Sequence, residues 1–245
     1  MTAIATGGRA KRHCGVCAAP VPPPFHAPQP EMAPDLDMRP GEPARSTLSR
    51  WVAVCRSCGA AAPDLSALPA TVGAIVRSAA YRTLAEPGAP DTMPFRRWAL
   101  LCQGQGDRLG EAEALLQAAW AADDAEAHDA GAHDAGADAA ATTLRQRVAA
   151  LWENAADPRV ALRRLDVLRR AGQFEEAGRC AEGIADHPLD DTARAVLAFQ
   201  RGRIAAGDRA RHSIGSALPP PAHAPHVTHV RRTPPGLWRR LFGRG

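Results

Sequence analysis

Two Cys-x-x-Cys pairs constrain the fold of this chain more than any other feature of its sequence. Cys14 and Cys17 form the first pair, Cys55 and Cys58 form the second, and a spacer of 37 residues separates them. Each pair can present two thiolates from one tight turn, and a structural Zn²⁺ is held by four such ligands at the corners of a tetrahedron. The sequence therefore predicts one structural zinc site, whose metal ligands are Cys14, Cys17, Cys55 and Cys58.

Other interpretations of the cysteines stay open. A thioredoxin-like redox pair needs one Cys-x-x-Cys between the strand and the helix of a βαβ unit, which the sequence does not show. Turns that have lost their metal are a second alternative, because Ala18 stands where a glycine often follows the second cysteine. In a third, His13 replaces one thiolate. Cys102 and Cys180 lie within predicted amphipathic helices and are expected to be small buried hydrophobes.

The residues around the cysteine pairs predict a small module with little regular structure. Residues 18–45 contain nine prolines and are expected to form an extended excursion between the two turns. Residues 51–54 are apolar and rich in β-formers, which predicts a short strand, and Gly59 is expected to close the second turn. We place a zinc-ribbon-like module with a proline-rich excursion at 13–62, after a disordered N-terminus at 1–12.

Beyond residue 62 the apolar periodicity becomes helical. Apolar residues recur at three- and four-residue spacing between 68 and 84. Asp157 followed by Pro158 is a typical helix start, and Gly172 and Gly207 suit helix ends. Further helices are predicted at about 94–104, 109–122, 142–155, 158–171, 174–186 and 191–206.

A low-complexity insert at 127–140 interrupts the predicted helices. The unit Ala-His-Asp-Ala-Gly occurs there twice in tandem, which predicts a loop. Its two His-Asp pairs could bind a metal, although duplication of a short codon unit explains them equally well. These pairs are His128–Asp129 and His133–Asp134. With this insert included, the helical domain is placed at 63–208.

The segment LRRAGQFEEAGRCAEGIADHPLD, from Leu168 to Asp190, resembles a tetratricopeptide unit at the turn between its two helices. The match to the pattern Gly-x-Tyr/Phe-x-Glu-Ala is carried by Gly172, Phe174, Glu176 and Ala177. Residues 106–124 repeat part of this pattern more loosely. In such a unit a small alanine lets two helices pack closely, and an aromatic residue fills the gap to the next hairpin. An ordinary antiparallel helical bundle is the alternative.

Together with residues 33–66, these hairpins make the chain resemble a group of bacterial proteins of uncharacterised function. Those proteins combine an N-terminal four-cysteine zinc ribbon with a tetratricopeptide-like C-terminal region, and the resemblance covers about residues 13–207. It implies that the four paired cysteines bind the metal. It also implies a mainly α fold, in which a small zinc-ribbon module is followed by antiparallel helical hairpins. The resemblance implies an architecture and no activity.

The C-terminal residues 209–245 are predicted to be a disordered tail rich in proline, arginine and histidine. They carry a net charge of +7, against +3 for residues 1–60 and −6 for residues 61–208. Three histidines spaced by three residues could capture a transition metal weakly, or be incidental. They are His223, His226 and His229. An apolar stripe near the end could touch a membrane surface or a partner groove, or belong to a solubilising tail end. It consists of Leu237, Trp238, Leu241 and Phe242.

The sequence shows no phosphate-binding glycine loop, no nucleophile elbow and no zinc-protease motif, so no enzymatic activity is expected. We expect a zinc-binding protein that serves as an interaction partner or scaffold for another protein through its helical hairpins. The alternative is a nucleic-acid-binding protein that acts through the zinc ribbon and the basic tail. No signal-peptide core follows Met1 and no apolar run is long enough to span a membrane, so a cytoplasmic location is expected.

Overall fold

The computed structural model describes residues 12–84, 92–128 and 135–218. Within these ranges the protein is mainly helical, and two small antiparallel hairpins lie near the N-terminus. The predicted mainly α fold class is therefore confirmed. Among these residues, no helix combines the length and the apolar character that crossing a bilayer requires.

Two hairpins with strands of two residues each form the ribbon module. Strand β1 (Arg12–His13) pairs with β2 (Pro20–Val21), and β3 (Ala53–Val54) pairs with β4 (Ala61–Ala62), in both cases antiparallel. The strand predicted at 51–54 is present but shorter. Strands of this length make few backbone hydrogen bonds, so the module depends on other interactions for its stability.

The segment after the second hairpin is divided into short helical pieces. A 3₁₀ helix at Ala70–Val72 leads into α1 (Gly73–Val76), and α2 (Ala79–Thr83) follows after a break. The Ser78 hydroxyl caps α2 by accepting a hydrogen bond from the Tyr81 N–H at 3.3 Å. The apolar spacing between 68 and 84 continues through this break, so the sequence pattern did not predict that a new helix starts after Ser78.

Six longer helices build the helical domain in the described ranges, and consecutive helices pack against each other. They are α3 (Met93–Gly104), α4 (Arg108–His128), α5 (Ala135–Leu151), α6 (Pro158–Arg170), α7 (Phe174–Ala185) and α8 (Asp191–Ala205). Asp157 caps α6 by accepting from the Arg159 N–H at 2.8 Å, as predicted. Gly172 and Gly207 follow helix ends with positive φ angles of 75° and 63°. The antiparallel hairpins are confirmed, while the tetratricopeptide assignment stays a prediction.

The prediction of a loop at 127–140 is wrong at both ends of the insert. Helix α4 continues to His128 and α5 already begins at Ala135. Alanine is the strongest helix former, so the alanine-rich ends of the insert extend the two neighbouring helices. Residues 129–134 lie outside the described residues, and with them most of the two His-Asp pairs.

The predicted tail boundary at 208 does not mark the end of the packed chain. The Ile214 N–H donates to the Pro34 carbonyl at 2.8 Å, and the Leu36 N–H donates to the His212 carbonyl at 3.0 Å. A short helix, α9 (Ile214–Ala217), follows this contact. The expected disorder is therefore wrong for this first part of the tail, because its backbone pairs with the proline-rich excursion.

Two adjoining apolar clusters form the core. The larger one lies among the long helices and includes Trp120, Trp152 and Leu168, together with Leu48 and Val52 from the ribbon side. The smaller one surrounds Cys14 and Cys55 and is closed by side chains of α1, α2 and α3. The cysteine turns therefore lie directly on the helical domain, and not at the end of a separate arm.

Candidate metal centre

The first cysteine turn is closed by two backbone hydrogen bonds. The Cys14 N–H donates to the Ala19 carbonyl at 2.8 Å, and the Ala18 N–H donates back to the Cys14 carbonyl at 2.8 Å. Ala18 has a φ of 59°, which is the left-handed conformation that glycine adopts most easily. This turn therefore holds an alanine in a conformation that disfavours its Cβ.

The second turn repeats this hydrogen-bond pattern with glycine at the corresponding position. The Cys55 N–H donates to the Ala60 carbonyl at 2.8 Å, and the Gly59 N–H donates to the Cys55 carbonyl at 2.8 Å. Gly59 has a φ of 77° and carries no Cβ, so the conformation costs it little. Gly59 closes the turn as predicted.

The two turns bring their four sulfur atoms into one cluster. Cys14 Sγ lies 3.9 Å from Cys58 Sγ, and Cys17 Sγ lies 3.7 Å from Cys55 Sγ. All four sulfur atoms lie within 4.8 Å of one another, which is close enough for one metal ion to contact each of them. The structure therefore assembles the four cysteines that the sequence singled out, across the 37-residue spacer.

The loop after the second hairpin holds the first cysteine turn in place. The Gly15 N–H donates to the Leu65 carbonyl at 3.0 Å. A Cβ at Gly15 would lie 1.8 Å from the Leu68 carbonyl oxygen, so this close approach requires glycine. On the preceding strand, the Arg12 guanidinium pairs with the Asp64 carboxylate at 2.5 Å. The first turn is thus fitted to residues that follow the second turn in sequence.

Helices α2 and α3 hold the second turn. The Tyr81 hydroxyl accepts a hydrogen bond from the Ala61 N–H at 2.9 Å and donates one to the Gly59 carbonyl at 3.3 Å. The Arg97 guanidinium donates to the same Gly59 carbonyl at 3.2 Å. Burial raises the pKa of Tyr81 to about 12, so its hydroxyl stays protonated and available as a donor. The helical domain therefore fixes the backbone from which one cysteine pair projects.

The cluster places its thiols in unequal surroundings. Burial raises the pKa of Cys14, and it raises the pKa of Cys58 to about 12. By contrast, a hydrogen bond from the Ala19 backbone lowers the pKa of Cys17 to about 7. Thiolates are the form that binds metal, so a dication in the cluster would displace the thiol protons, and its affinity would fall as the pH falls.

The other candidate ligands stand apart from the cluster. His13 is exposed on β1, and the group of residues able to share one ion consists of the four cysteines alone within the described part of the chain. Cys102 is completely buried on α3, as predicted, and burial raises its pKa to about 12. Cys180 on α7 is only partly buried. The histidines and the apolar stripe of residues 219–245 lie outside the described residues.

A second feature, which the sequence analysis missed, is a charged loop inserted between helices. Residues 35–39, which we call the inserted loop, lie within the proline-rich excursion and pack against α4 and α6. The Asp35 N–H donates to the Arg39 carbonyl at 2.8 Å, and Met38 adopts a left-handed φ of 71°. The side chains of Leu36, Asp37 and Arg39 are almost completely inaccessible to solvent. The excursion is therefore anchored to the helical domain at this loop.

Asp37 is the centre of the inserted loop and is fully buried. Its carboxylate accepts hydrogen bonds from Trp120 Nε1 at 2.8 Å and from the Arg170 guanidinium at 3.3 Å. Its backbone carbonyl accepts from Arg163 Nε at 3.1 Å. Burial acts to raise the pKa of Asp37, but the charge of Arg170, followed by the bond from Trp120, outweighs it and holds the pKa below the usual value. Asp37 is therefore a buried, charged acceptor.

Further ion pairs surround Asp37 and keep the buried charges matched. Arg39 pairs with Asp124 at 2.5 Å, and Asp123 accepts from both Arg145 at 2.5 Å and Arg170 at 2.8 Å. Buried charges are stable only when they are paired in this way. We therefore interpret the loop and its partners as a structural clamp that joins the proline-rich excursion to α4 and α6.

Sequence signals for this clamp exist but are weak. The stretch DLDMR places charges and one leucine among prolines, and α6 carries five arginines in RVALRRLDVLRR. Charged residues of this kind usually face solvent, so their pattern alone does not indicate burial. The partners of Asp37 lie 83 and 133 residues further along the chain, beyond the reach of any local pattern.

Comparison of the chain with known protein families finds no matching family model, and comparisons with curated proteins and with solved structures find no match either. Function must therefore be inferred from the side chains themselves.

Proposed function

We propose that this chain is a zinc-binding protein without enzymatic activity, in which one structural Zn²⁺ fixes the ribbon module and the helical hairpins serve as the interaction surface for another protein. The observation that carries the proposal is the cluster of four cysteine sulfurs contributed by two turns of the same geometry.

The cluster fits zinc in ligand type, number and spacing. Zn–S bonds of about 2.3 Å in a tetrahedron place neighbouring sulfurs about 3.8 Å apart. The observed separations of 3.7 Å for Cys17–Cys55 and 3.9 Å for Cys14–Cys58 agree with that value. Four thiolates fill the coordination sphere of zinc and leave no position for a reacting water, which favours a structural role over a catalytic one.

The surface that we assign to a partner is the outer side of α7. The inserted loop already covers parts of α4 and α6, whereas α7 buries only one side of its helix. Its exposed side carries alternating charges, including Glu175, Arg179 and Glu182. An adjoining open groove of about 450 Å³ is lined by residues of α6 and α7 and by Glu153 in the turn after α5. Mixed charges of this kind favour a protein surface with complementary charges over a uniformly anionic partner.

Metal analysis tests the first half of the proposal. Purified full-length protein is expected to contain one zinc per chain. The variant Cys55→Ser, which lacks one buried ligand, is expected to contain none. Cys180→Ser is the matched control, because that partly buried cysteine lies on α7 outside the cluster. Protein that is folded and free of zinc after preparation in zinc-containing buffer would refute the metal assignment.

Affinity capture tests the second half. Full-length protein is compared with the charge-reversed variant Arg179→Glu/Glu182→Arg, which leaves the net charge unchanged. A specific protein partner recovered by the natural chain and lost by this variant would support the α7 surface. The matched control is Asp191→Arg/Arg194→Asp, which is an equally charge-neutral exchange of an exposed ion pair on α8. Recovery of nucleic acid that is released by added salt would instead favour the nucleic-acid alternative.

A further inference from the structure

The four cysteines of the cluster differ in their access to solvent. Cys14 and Cys55 are each only 2% exposed, and Cys58 is partly covered, whereas Cys17 is exposed. The loop at 65–68 packs against the Gly15 side of the first turn and leaves the Cys17 side open. Cys17 is therefore the cysteine of the cluster that is most open to a small oxidant dissolved in water.

The exposed sulfur also contacts a buried sulfur of the other turn. Cys17 Sγ lies 3.7 Å from Cys55 Sγ, and the remaining two sulfurs form a similar contact at 3.9 Å. A disulfide requires sulfurs about 2.05 Å apart. The remaining separation lies between side-chain atoms, so rotation about the Cα–Cβ bonds of the two cysteines can bring the sulfurs together while the turns stay anchored.

We propose that the cysteine cluster is a peroxide-sensitive thiol switch: oxidation begins at Cys17, forms a disulfide between Cys17 and Cys55, and releases the metal. This inference rests on the zinc site of the proposed function. It adds that the ion is bound reversibly: the protein holds it while Cys17 is reduced and releases it when Cys17 is oxidised.

The chemistry is a two-electron oxidation of two thiolates by one peroxide. The Cys17 thiolate attacks a peroxide oxygen, so that an S–O bond forms, the O–O bond breaks and hydroxide leaves. The Cys55 thiolate then attacks the Cys17 sulfur, an S–S bond forms, and the sulfenic oxygen leaves as a second hydroxide. Two protons convert both hydroxides to water. Hydrogen peroxide is thereby reduced to two waters, and the cluster loses two of its four metal ligands.

The position of the disulfide determines what happens to the ribbon after the metal leaves. A bond between Cys17 and Cys55 joins the same two turns that the metal joined, so the ribbon stays closed. A bond within either Cys-x-x-Cys pair would leave the turns unconnected. A disulfide between Cys17 and Cys55 therefore distinguishes the proposed switch from an oxidation that only releases zinc.

The test is peroxide titration of the purified full-length protein, with zinc release followed by a chromogenic chelator and disulfides mapped by mass spectrometry of non-reduced peptides. We expect one zinc released per chain, a Cys17–Cys55 linkage as the first disulfide, and recovery of zinc binding after reduction. In the zinc-loaded natural chain, brief treatment with iodoacetamide is expected to alkylate Cys17 on the order of tenfold faster than Cys14 or Cys55, which identifies the first reactive thiol without removing a ligand. Cys180→Ser, outside the cluster, is expected to react like the natural chain.

Several outcomes would overturn the inference. Zinc retained at a peroxide concentration that oxidises free glutathione would exclude the switch while leaving the zinc site intact. A first disulfide within Cys14–Cys17 or within Cys55–Cys58 would refute the proposed pairing. Protein purified without zinc would refute the metal site itself, and the same peptide mapping on that metal-free chain would still decide whether Cys17 and Cys55 pair.

Discussion

The ribbon module and the helical domain are held together by different kinds of interaction. The ribbon has strands of only two residues, and its two turns meet at a cluster of sulfur atoms. The helical domain has a large apolar cluster together with buried pairs between carboxylates and guanidinium groups. We infer that the stability of the ribbon depends on a bound metal ion, whereas the stability of the helical domain depends on its own side chains alone.

The inserted loop does not follow this division. It belongs to the excursion between the two cysteine pairs, yet its contacts are with α4 and α6. The chain between the two cysteine turns is therefore anchored in the helical domain by buried charges. The comparison predicts that metal loss affects the cysteine turns at the two ends of the 37-residue spacer, whereas loss of the Asp37 clamp affects the inserted loop within it.

Metal removal is expected to have the largest effect. The apparent binding free energy of a structural zinc is about 10 to 16 kcal/mol at neutral pH. We expect this to exceed what the contacts of the turns with Leu65, Tyr81 and Arg97 can replace. We expect chelation to abolish amide protection in the turns around Cys14 and Cys55, while the inserted loop and α6 keep theirs. Hydrogen exchange followed by mass spectrometry measures both, and far-ultraviolet circular dichroism checks that the helices persist.

An unchanged exchange pattern in the turns after complete metal removal would show that packing alone stabilises the ribbon. Loss of protection in the inserted loop together with the turns would contradict the division between the two regions. Cys180→Ser, treated in the same way, is the control for effects of thiol substitution elsewhere.

Removal of the clamp is expected to have the second largest effect. Asp37→Ala leaves the Arg170 guanidinium without one partner and Trp120 Nε1 without an acceptor. Breaking a buried ion pair from one side costs about 3 to 5 kcal/mol, which urea unfolding would measure. Glu175→Ala removes an exposed carboxylate from an ion pair on α7 and is expected to cost about 0.5 kcal/mol or less. Equal losses in the two variants would contradict a structural role for the clamp.

The pH dependence of stability should reveal the same clamp. The pKa of Asp37 is lower in the folded protein than the usual value, so the unfolded chain binds the proton more readily. Its contribution is therefore complete above the ordinary aspartate pKa and is lost as the pH falls through the lowered value. We expect the stability difference between the natural chain and Asp37→Asn to be constant from pH 7 to about pH 5 and to shrink below about pH 4.

Urea unfolding at several pH values measures this difference in stability. Because Asp166 and the surrounding arginines are present in both proteins, the difference isolates the contribution of Asp37. The pKa of Asp166 is raised by burial in spite of Arg169 at 2.6 Å, so its own contribution to stability changes in the opposite direction. A difference that grows on acidification would contradict the charged state that we assign to Asp37.

The smallest effects are expected from substitutions at corresponding positions of the two cysteine turns. Ala18 and Gly59 occupy corresponding positions with φ angles of 59° and 77°. Ala18→Gly should stabilise the first turn, and Gly59→Ala should destabilise the second, each by about 1 kcal/mol. A Cβ at Gly59 would meet no atom within 4 Å, so the expected loss comes from the backbone conformation alone. Thermal unfolding of the metal-loaded protein measures both, and shifts of the same sign would contradict the proposed equivalence.

Much of the secondary structure and all four clustered cysteines could be predicted because local signals encode them. The Asp157–Pro158 start of α6 and the glycine ends at Gly172 and Gly207 depend on hydrogen bonds between near neighbours. The ends of the insert were mispredicted because a repeated loop-like unit concealed the helix propensity of its alanines. The packing of residues 212–214 was missed because its backbone partners are at 34 and 36.

The sequence by itself determined which cysteines are paired in turns, where most of the long helices begin and end, and that the fold is mainly α. Only the tertiary structure decided which contacts hold the two turns against each other, that Cys17 is the exposed member of the cluster, and that Asp37 lies buried against α4 and α6. Turns and helices follow from residues a few positions apart, whereas a buried charge is stable only where partners from distant parts of the chain converge on it.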